Sequence, residues 1–242
     1  MPETSVIVGA SGGIGRAVAE ALSADGYRMV LNARREAPLR ELAEQLHDAV
    51  WVAGDCADEA VAERLRHAAG NVSILVHTAG MLVKSETREQ PVEVFDEVIR
   101  TNLRSAYVCA RALLPAMRAG SRIVFISSTS ALRPTVGLTA YTAAKAGMNA
   151  MAGVLARELE EDGIGVHVVA PGPVDTPMLD ADPRRFAVLM PADVAGVVRW
   201  LTQMPPEVVV PEVIMHAPVR GPFATRWTDA PVSGQNRGRT AP

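Results

Sequence analysis

A serine, a tyrosine and a lysine in the middle of the chain have the spacing of a proton-transfer site. Tyr141 and Lys145 are four residues apart, so on a helix they lie on one face, one turn apart. Because an ammonium group stabilises a neighbouring phenolate, Lys145 could lower the pKa of Tyr141 from about 10 towards neutrality. Ser128 follows the apolar run Ile123–Ser127, which is typical of a buried parallel strand. Together they could hold a substrate oxygen and move its proton. Taken alone, they also fit a partly buried tyrosine, a solvent-facing lysine and a turn serine.

A glycine-rich turn near the start of the chain indicates a nucleotide site. The short apolar strand Ser5–Val8 runs directly into the sequence G-A-S-G-G-I-G, and a helical pattern follows. Gly9 permits a tight turn, while Gly13 and Gly15 let the backbone approach a pyrophosphate and let the helix pack close to the strand. The N–H groups at the start of that helix would then bind the phosphates. An ordinary glycine-rich turn is the less favoured interpretation, because the motif follows the first strand.

The end of the second strand bears on the choice between NAD and NADP. This strand, Arg28–Asn32, is followed by Ala33 and then by Arg34 and Arg35. NAD-binding proteins place a carboxylate here on the ribose 2′-hydroxyl, whereas two guanidinium groups could bind the 2′-phosphate of NADP. The sequence therefore predicts NADP (NADPH) rather than NAD as the cofactor. A solvated arginine pair that opens the next helix is a common alternative.

Two polar residues at other strand ends have more than one interpretation. Asp55 follows the third strand, Val50–Ala53, where it could accept a hydrogen bond from an adenine amino group or cap the helix Ala57–Ala69. His77 ends the fourth strand, Ser73–His77. It could be a catalytic base, but we expect it to fasten neighbouring segments. The small residues that follow this strand leave room for a ligand at the carboxyl edge of a sheet.

Strands and helices alternate along the chain, which predicts an α/β fold with a doubly wound parallel sheet and helices on both faces. The remaining predicted strands are Gly165–Ala170 and Val208–Met215. The remaining predicted helices are Pro38–Leu46, one or two within Pro91–Arg118, one from Tyr141 to about Glu161, and Pro191–Leu201. We interpret residues 1–216 as one domain and residues 217–242 as an irregular tail, because the tail is rich in proline and glycine and lacks periodicity.

Composition and charge argue against several classes of function. The chain has 242 residues and is 48% hydrophobic, which suffices for one sizeable core. The formal net charge of −3 gives no sign of a nucleic-acid-binding surface, and no apolar run approaches the roughly 18 residues that span a membrane. Cys56 and Cys109 lie far apart without metal-ligand spacing, so we interpret both as small core residues and predict no metal site. Without a leader pattern, we expect a cytoplasmic protein.

Taken together, these motifs resemble those of the short-chain dehydrogenase/reductase family, in its single-domain branch, over about residues 4–215. The family's glycine motif matches Gly9, Gly13 and Gly15. Its active-site residues match Asn102, Ser128, Tyr141 and Lys145. Its P-G motif matches Pro171, Gly172 and Thr176. Its N-A-G motif matches only in part, because His77 and Thr78 replace two asparagines before Ala79 and Gly80; Val8 likewise replaces a threonine. These departures are expected to affect the fastening of loops more than the chemistry.

The resemblance implies a seven-stranded Rossmann sheet, a homodimer or homotetramer, and a defined set of cofactor contacts. The residues assigned to the cofactor are Gly9, Ser11, Gly13, Ile14, Gly15, Arg34, Arg35, Asp55, Cys56, Ala79, Gly80, Tyr141, Lys145, Pro171, Gly172, Val174 and Thr176. Among them, Thr176 is expected to hold the carboxamide of the nicotinamide.

The resemblance also implies a carbonyl reductase mechanism. A ketone or aldehyde oxygen would accept hydrogen bonds from Ser128 and Tyr141, and Tyr141 would protonate the alkoxide that hydride transfer forms. Lys145 would hold the nicotinamide ribose, and Asn102 would fix a water that relays the proton. The expected substrate is an apolar carbonyl compound or alcohol, since the lining comprises Met81, Leu82, Leu132, Pro134, Val136, Pro173, Met178 and Phe186. A non-catalytic NADP-binding regulator or scaffold is the alternative.

Overall fold

Seven parallel strands form one sheet in the computed structural model, which describes residues 3–179 and 188–218. In chain order the strands are β1 Thr4–Val8, β2 Arg28–Ala33, β3 Ala49–Ala53, β4 Ile74–His77, β5 Arg122–Ile126, β6 Gly165–Pro171 and β7 Glu212–Met215. Their order across the sheet is β3-β2-β1-β4-β5-β6-β7. The predicted doubly wound parallel sheet is therefore confirmed.

Helices cover both faces of the sheet. The α-helices of the described residues are α1 Gly13–Ala24, α2 Glu36–Gln45, α3 Glu59–Ala69, α4 Val92–Ile99, α5 Ser105–Leu113, α6 Thr139–Glu158 and α7 Pro191–Thr202. Buried residues of α3, α5 and α6 pack on one face, and those of α1, α2 and α7 pack on the other. The strand side chains alternate between these two cores: Val6 and Val8 of β1 face the first, and Ile7 faces the second.

The chain changes direction across the sheet between β1 and β4. The strands β2 and β3 extend from one side of β1, whereas β4 to β7 extend from the other. The ends of the two central strands are in register, since Val8 pairs with His77. In open α/β sheets the loops that leave such a switch point diverge and form a crevice at the carboxyl edge, where ligands bind.

Most predicted elements end within one to three residues of the observed boundaries, and two of the differences have a clear local cause. Helix α3 begins at Glu59 rather than Ala57, because the Asp55 carboxylate accepts the Ala57 backbone N–H over 2.9 Å and holds a turn ahead of the helix. Strand β7 begins at Glu212 rather than Val208. The Val208 backbone N–H closes a turn on Pro205, and the intervening Pro211 has no N–H to donate to a neighbouring strand.

The predicted region Pro91–Arg118 contains two α-helices joined without a break by a π-helical turn. Helix α4 passes into a π-helical turn at Arg100–Arg104, and α5 follows directly. A π turn inserts a residue into the helical ladder and is frequent at functional sites. Here it carries Asn102.

No helix in the described ranges is long and apolar enough to cross a membrane. Of the predicted tail, Ala217 and Pro218 fall within the described residues; residues 219–242, like Phe186 of the expected substrate lining, lie outside them.

Candidate active site

The first glycine of the motif occupies a position that no other residue could fill. Gly9 follows β1 with a positive φ of 87°, a region that favours glycine. A Cβ atom on Gly9 would lie 2.5 Å from the backbone nitrogen of Ala79, and one on Gly15 would lie 2.3 Å from the carbonyl oxygen of Gly9. The turn after β1, the start of α1 and the loop after β4 therefore touch through bare backbone. Such a cradle lets a phosphate approach the main chain.

The N-terminus of α1 faces this cradle with its backbone donors free of side-chain caps. Its N-cap is Gly12, which makes no side-chain cap bond, and no acidic residue stands in the first turn. The unpaired N–H groups and the positive end of the helix dipole are thus available to an anion.

A cleft of about 760 Å³ lies along the carboxyl edge of the sheet at the switch point. Twelve residues that the sequence assigned to the cofactor line it: Gly9, Ser11, Gly13, Ile14, Gly15, Arg34, Arg35, Asp55, Cys56, Ala79, Gly80 and Thr176. The assigned residues Tyr141, Lys145, Pro171, Gly172 and Val174 do not line it. The lining residues that sequence reasoning did not assign to the cofactor are Gly12, Asn32, Ala33, Gly54, Thr78, Met81, Leu82, Thr101, Pro177 and Met178. Most of these are neighbours of motif residues, so adjacency to the motifs was the available signal.

Both predicted arginines lie at the cleft. Arg35 is the N-cap residue of α2, and Arg34 precedes it. The Arg34 guanidinium lies 3.9 Å from the Glu97 carboxylate, and its side chain is 63% exposed. An exposed pair at that distance is weak, so Arg34 could exchange Glu97 for a phosphate.

Asp55 also lines the cleft, but its carboxylate already has two partners. It accepts the Ala57 backbone N–H and forms an ion pair with Arg100, which also bonds Asp58 over 2.6 Å. Burial opposes ionisation of Asp55, yet these partners outweigh it and hold its pKa below the usual value. Of the two interpretations of Asp55, capping of α3 is wrong, because Asp58 is the N-cap residue and Asp55 shapes the preceding turn.

Tyr141 lies in the first turn of α6 and is 8% exposed. Burial raises the pKa of its phenol, and a side-chain hydrogen bond with Ser128 works in the opposite direction. Ser128 stands just beyond β5, where its hydroxyl also accepts the Ser130 backbone N–H over 3.1 Å. The predicted pairing of a serine after a strand with a tyrosine at a helix start is therefore present.

Lys145 is buried rather than solvent-facing. Its ammonium donates a hydrogen bond to the carbonyl oxygen of Ile126 over 2.8 Å and lies 5.8 Å from the centre of the Tyr141 ring. Burial lowers the pKa of Lys145 to about 8. The expected lowering of the Tyr141 pKa by a full positive charge on Lys145 does not appear, because desolvation dominates the ionisation of both groups.

Asn102 fastens the π turn to the loop after β4. Its amide nitrogen donates to the carbonyl oxygens of Met81 and Val98, each over 2.9 Å, and its amide oxygen accepts the Met81 backbone N–H over 3.3 Å. The loop residue Gly80 lies between two catalytic candidates. A Cβ atom on Gly80 would lie 2.7 Å from the Asn102 amide oxygen and 3.6 Å from the Lys145 nitrogen.

The P-G loop approaches the glycine motif from the other side. A Cβ atom on Gly13 would lie 2.8 Å from the Thr176 methyl carbon. Pro171 ends β6, Gly172 donates its N–H to Met215 over 2.8 Å, and Val174 pairs with Leu189. These three residues therefore hold the loop, and Thr176 is the member that reaches the cleft.

His77 and Thr78 fasten neighbouring segments, as expected. The Thr78 hydroxyl donates to the Val8 carbonyl over 2.8 Å, and the His77 ring bonds the Ser105 hydroxyl over 2.8 Å. In the described part of the chain no cluster of histidine, cysteine and carboxylate side chains could hold a metal ion.

Sequence and structure comparisons relate this chain to known dehydrogenases and oxidoreductases. The profile of the short chain dehydrogenase family matches residues 3–185. An uncharacterized oxidoreductase of Staphylococcus saprophyticus is 32% identical over 226 residues, which are 88% of this chain and 97% of that protein. The structure of BdcA in complex with NADPH has 29% sequence identity and a TM-score of 0.80, over 88% of this chain and 92% of BdcA. A short chain dehydrogenase of Burkholderia cenocepacia in complex with NADP has 27% identity and a TM-score of 0.82, over 88% of this chain and 96% of that one.

The chain belongs to the short-chain dehydrogenase/reductase family, a family of NAD(P)-dependent oxidoreductases.

Proposed function

We propose that the protein is an NADPH-dependent carbonyl reductase that interconverts a ketone and a secondary alcohol. The observation that carries this proposal is the position of Gly80. This residue lines the nucleotide cleft and also lies against Asn102 and Lys145. Because Lys145 lies near Gly80 and 5.8 Å from the Tyr141 ring centre, we infer that both buried side chains stand beside one end of the cleft. A cofactor in the cleft and a substrate oxygen on Tyr141 would be neighbours.

The residues present fit NADPH. The bare-backbone cradle around Gly9 and Gly15 would hold the pyrophosphate, Arg34 and Arg35 would hold the 2′-phosphate, and Thr176 would hold the nicotinamide carboxamide. Two relatives of known structure bind NADP or NADPH, which supports this choice of cofactor. Bound there, NADPH supplies the hydride that reduces the carbonyl carbon.

The protein's own residues handle the oxygen and its proton. The hydroxyls of Ser128 and Tyr141 would both donate hydrogen bonds to the carbonyl oxygen, which stabilises the negative charge that develops there. Because burial raises the pKa of Tyr141, its phenol stays protonated at neutral pH and can serve as the acid. Lys145, with a pKa of about 8, can exchange protons near neutrality and so restore the phenol proton. Asn102 would position the water that links this relay to solvent.

The substrate is proposed to be apolar. Three side chains of the expected substrate lining, Leu132, Val136 and Met178, are exposed, and Met178 also lines the cleft. A ketone with hydrophobic or aromatic substituents would bury such surface.

A homodimer or homotetramer is also proposed. Val92 and Phe95 on α4 are exposed large side chains, 69% and 36% respectively, which further copies of the chain could cover. Light scattering of the purified protein would measure the subunit number.

Nicotinamide fluorescence and turnover test the proposal together. We expect NADPH to bind more tightly than NADH, and Tyr141→Phe to keep NADPH binding while turnover of a ketone panel falls by on the order of 10²- to 10⁴-fold. Tyr107→Phe is the matched control, because it removes the hydroxyl of an exposed tyrosine on α5. Wild-type turnover in Tyr141→Phe would refute the mechanism. Binding of NADPH without turnover of any carbonyl would favour the regulator or scaffold.

A further inference from the structure

The two cysteines, far apart in sequence, meet beside the cleft. Cys56 is 6% exposed and lines the cleft next to Asp55, and Cys109 on α5 is fully buried. The Cys109 sulfur lies 3.6 Å from the Cys56 carbonyl oxygen. Both thiols are free. The third member of the group is His77, which is fully buried at the end of β4.

The hydrogen bonds of His77 fix the position of its proton. The Ser105 hydroxyl has one proton, which it donates to the Thr101 carbonyl oxygen over 2.7 Å. The Ser105 oxygen must therefore accept its 2.8 Å hydrogen bond from Nε2–H of His77. In a neutral imidazole, Nδ1 then carries a lone pair and no proton. This Nδ1 atom is buried without a hydrogen-bond partner among the described residues.

The environments of the two thiols are unequal. The interaction with Cys109 is the largest influence lowering the pKa of Cys56, and the neighbouring His77 lowers this pKa further. The same pairing, with burial, raises the pKa of Cys109. The buried, unpartnered Nδ1 of His77 is therefore the base that we assign to the Cys56 thiol. The lowered pKa favours the thiolate of Cys56 at the cleft wall, and the raised pKa favours the protonated thiol of Cys109, an arrangement found in redox-active pairs.

We propose that Cys56 and Cys109 are a peroxide-reactive dithiol, activated by His77, whose oxidation to a disulfide weakens binding of NADPH. The Cys56 thiolate attacks one oxygen of hydrogen peroxide, the O–O bond breaks, and the leaving hydroxide takes the proton from His77. Cys56 is then a sulfenic acid. The Cys109 sulfur attacks it, the S–O bond breaks, and water leaves with the Cys109 proton. One peroxide becomes two waters as two thiols become one disulfide.

The disulfide would change the cleft because its geometry differs from the present contact. A disulfide requires a sulfur–sulfur distance of about 2.05 Å and closely placed Cβ atoms. Cys109 now contacts the backbone oxygen of Cys56, so the two side chains must turn towards each other. This draws the segment from Gly54 to Cys56, which lines the cleft, towards α5. Bound NADPH and the disulfide then oppose each other, because each disfavours the other's conformation.

The thiol chemistry is tested on the full chain without any cofactor, so its outcome does not depend on the proposed function. Purified protein is treated with hydrogen peroxide, and thiols are counted after denaturation. We expect the loss of both thiols, a mass decrease of two hydrogen atoms, a cross-linked peptide that joins Cys56 to Cys109, and full recovery with dithiothreitol. Two thiols that stay reduced under conditions that oxidise free cysteine overturn the proposal, and so does oxidation that joins cysteines of different chains.

Two variants test the proposed roles of Cys56 as the nucleophile and His77 as the base. Cys109→Ala should stop at the sulfenic acid, which dimedone traps on Cys56. The absence of a dimedone adduct on Cys56 in this variant overturns the assignment of Cys56 as the nucleophile. His77→Gln keeps a donor for Ser105 but offers no base, so oxidation should slow on the order of tenfold. Oxidation of His77→Gln at the wild-type rate overturns the role of the imidazole.

The effect on the cleft rests on the proposed function and has its own measurement. Oxidised protein should bind NADPH on the order of tenfold more weakly, and reduction should restore the affinity. By linkage, saturating NADPH should lower the equilibrium constant for disulfide formation, measured in a dithiothreitol redox buffer, by the same factor. Equal NADPH affinity before and after complete disulfide formation overturns this linkage. Failure of the reduced protein to bind NADPH would instead count against the proposed function and leave the thiol result standing.

Discussion

The buried ammonium of Lys145 donates its hydrogen bond to the carbonyl oxygen of Ile126, the last residue of β5, over 2.8 Å. The contact joins helix α6 to the carboxyl edge of the sheet. It also places a charge that burial disfavours inside the protein, and this lowers the pKa of Lys145 to about 8. The lysine that we propose for the proton relay therefore also affects the stability of the fold.

We predict a pH-dependent stability difference between the wild type and Lys145→Met. In the unfolded chain the lysine keeps a pKa near 10.4, so between about pH 8 and 10 the unfolded state binds more protons than the folded state. Stability of the wild type should therefore rise with pH in this window, on the order of 2 kcal/mol, relative to the variant. Chemical denaturation at several pH values measures it. A constant difference from pH 7 to 10 would show that Lys145 is charged throughout.

Replacement of Ser128 should change both the rate and its pH dependence. The hydrogen bond with Ser128 lowers the pKa of Tyr141, so Ser128→Ala should raise this pKa. Alcohol oxidation needs the phenolate, and its rate should then rise at higher pH than in the wild type. The maximal rate should fall on the order of 10²-fold because one donor to the oxygen is lost. Ser130→Ala is the control, since Ser130 contributes its backbone N–H to this contact. A lower rate with an unshifted profile would contradict the link to Tyr141.

Arg34→Ala should weaken NADPH binding and leave NADH binding unchanged. The 2′-phosphate is the difference between the two cofactors, and a charge-assisted hydrogen bond to it is worth about 1.5–3 kcal/mol, or roughly tenfold to a hundredfold in affinity. Arg40→Ala is the control, because Arg40 lies on α2 with a 54% exposed side chain paired with Glu44. Fluorescence titration of both variants with NADPH and with NADH measures the four affinities. Equal losses for NADPH and NADH would mean that Arg34 shapes the cleft without binding the phosphate.

The sequence predicted those parts of the protein that depend on short stretches of neighbouring residues. The strand at Ser5–Val8 and the glycine turn obey backbone rules that involve few neighbours, and the sheet follows from alternation of strands and helices. The wall of the cleft at Asp55 was also expected, because it follows the end of a strand.

Contacts between distant segments were not predictable in the same way. No spacing rule brings Cys109 to Cys56, because their proximity depends on how α5 packs beside the loop after β3. The same holds for Arg100, which pairs with Asp55 across the cleft wall. The desolvation of Lys145 is likewise a property of the folded interior; helical spacing placed it beside Tyr141 but gave no measure of its burial.

Replacement of Asn102 should lower the free energy of unfolding, apart from any effect on catalysis. Asn102→Ala removes the donor to the carbonyl oxygens of Met81 and Val98. Because Asn102 and Val98 are fully buried, the loss should cost about 2–4 kcal/mol. Asn71→Ala is the control: its side chain accepts an exposed hydrogen bond from Arg118, and a change within about 0.5 kcal/mol is expected. Urea denaturation compares the two. Equal stability of Asn102→Ala and the wild type would show that the loop after β4 does not depend on this amide.

The contact between the glycine motif and the P-G loop can be tested by a pair of substitutions. Gly13→Ala would place a methyl group 2.8 Å from the Thr176 methyl carbon, and this crowding should lower the free energy of unfolding by about 1–3 kcal/mol. Thr176→Ser removes that methyl group and keeps the hydroxyl. The double variant should therefore recover at least about 0.5 kcal/mol compared with the sum of the single changes. If the two single changes in the free energy of unfolding add up to that of the double variant, the Thr176 methyl group does not contact the glycine motif closely enough to be crowded by Gly13→Ala.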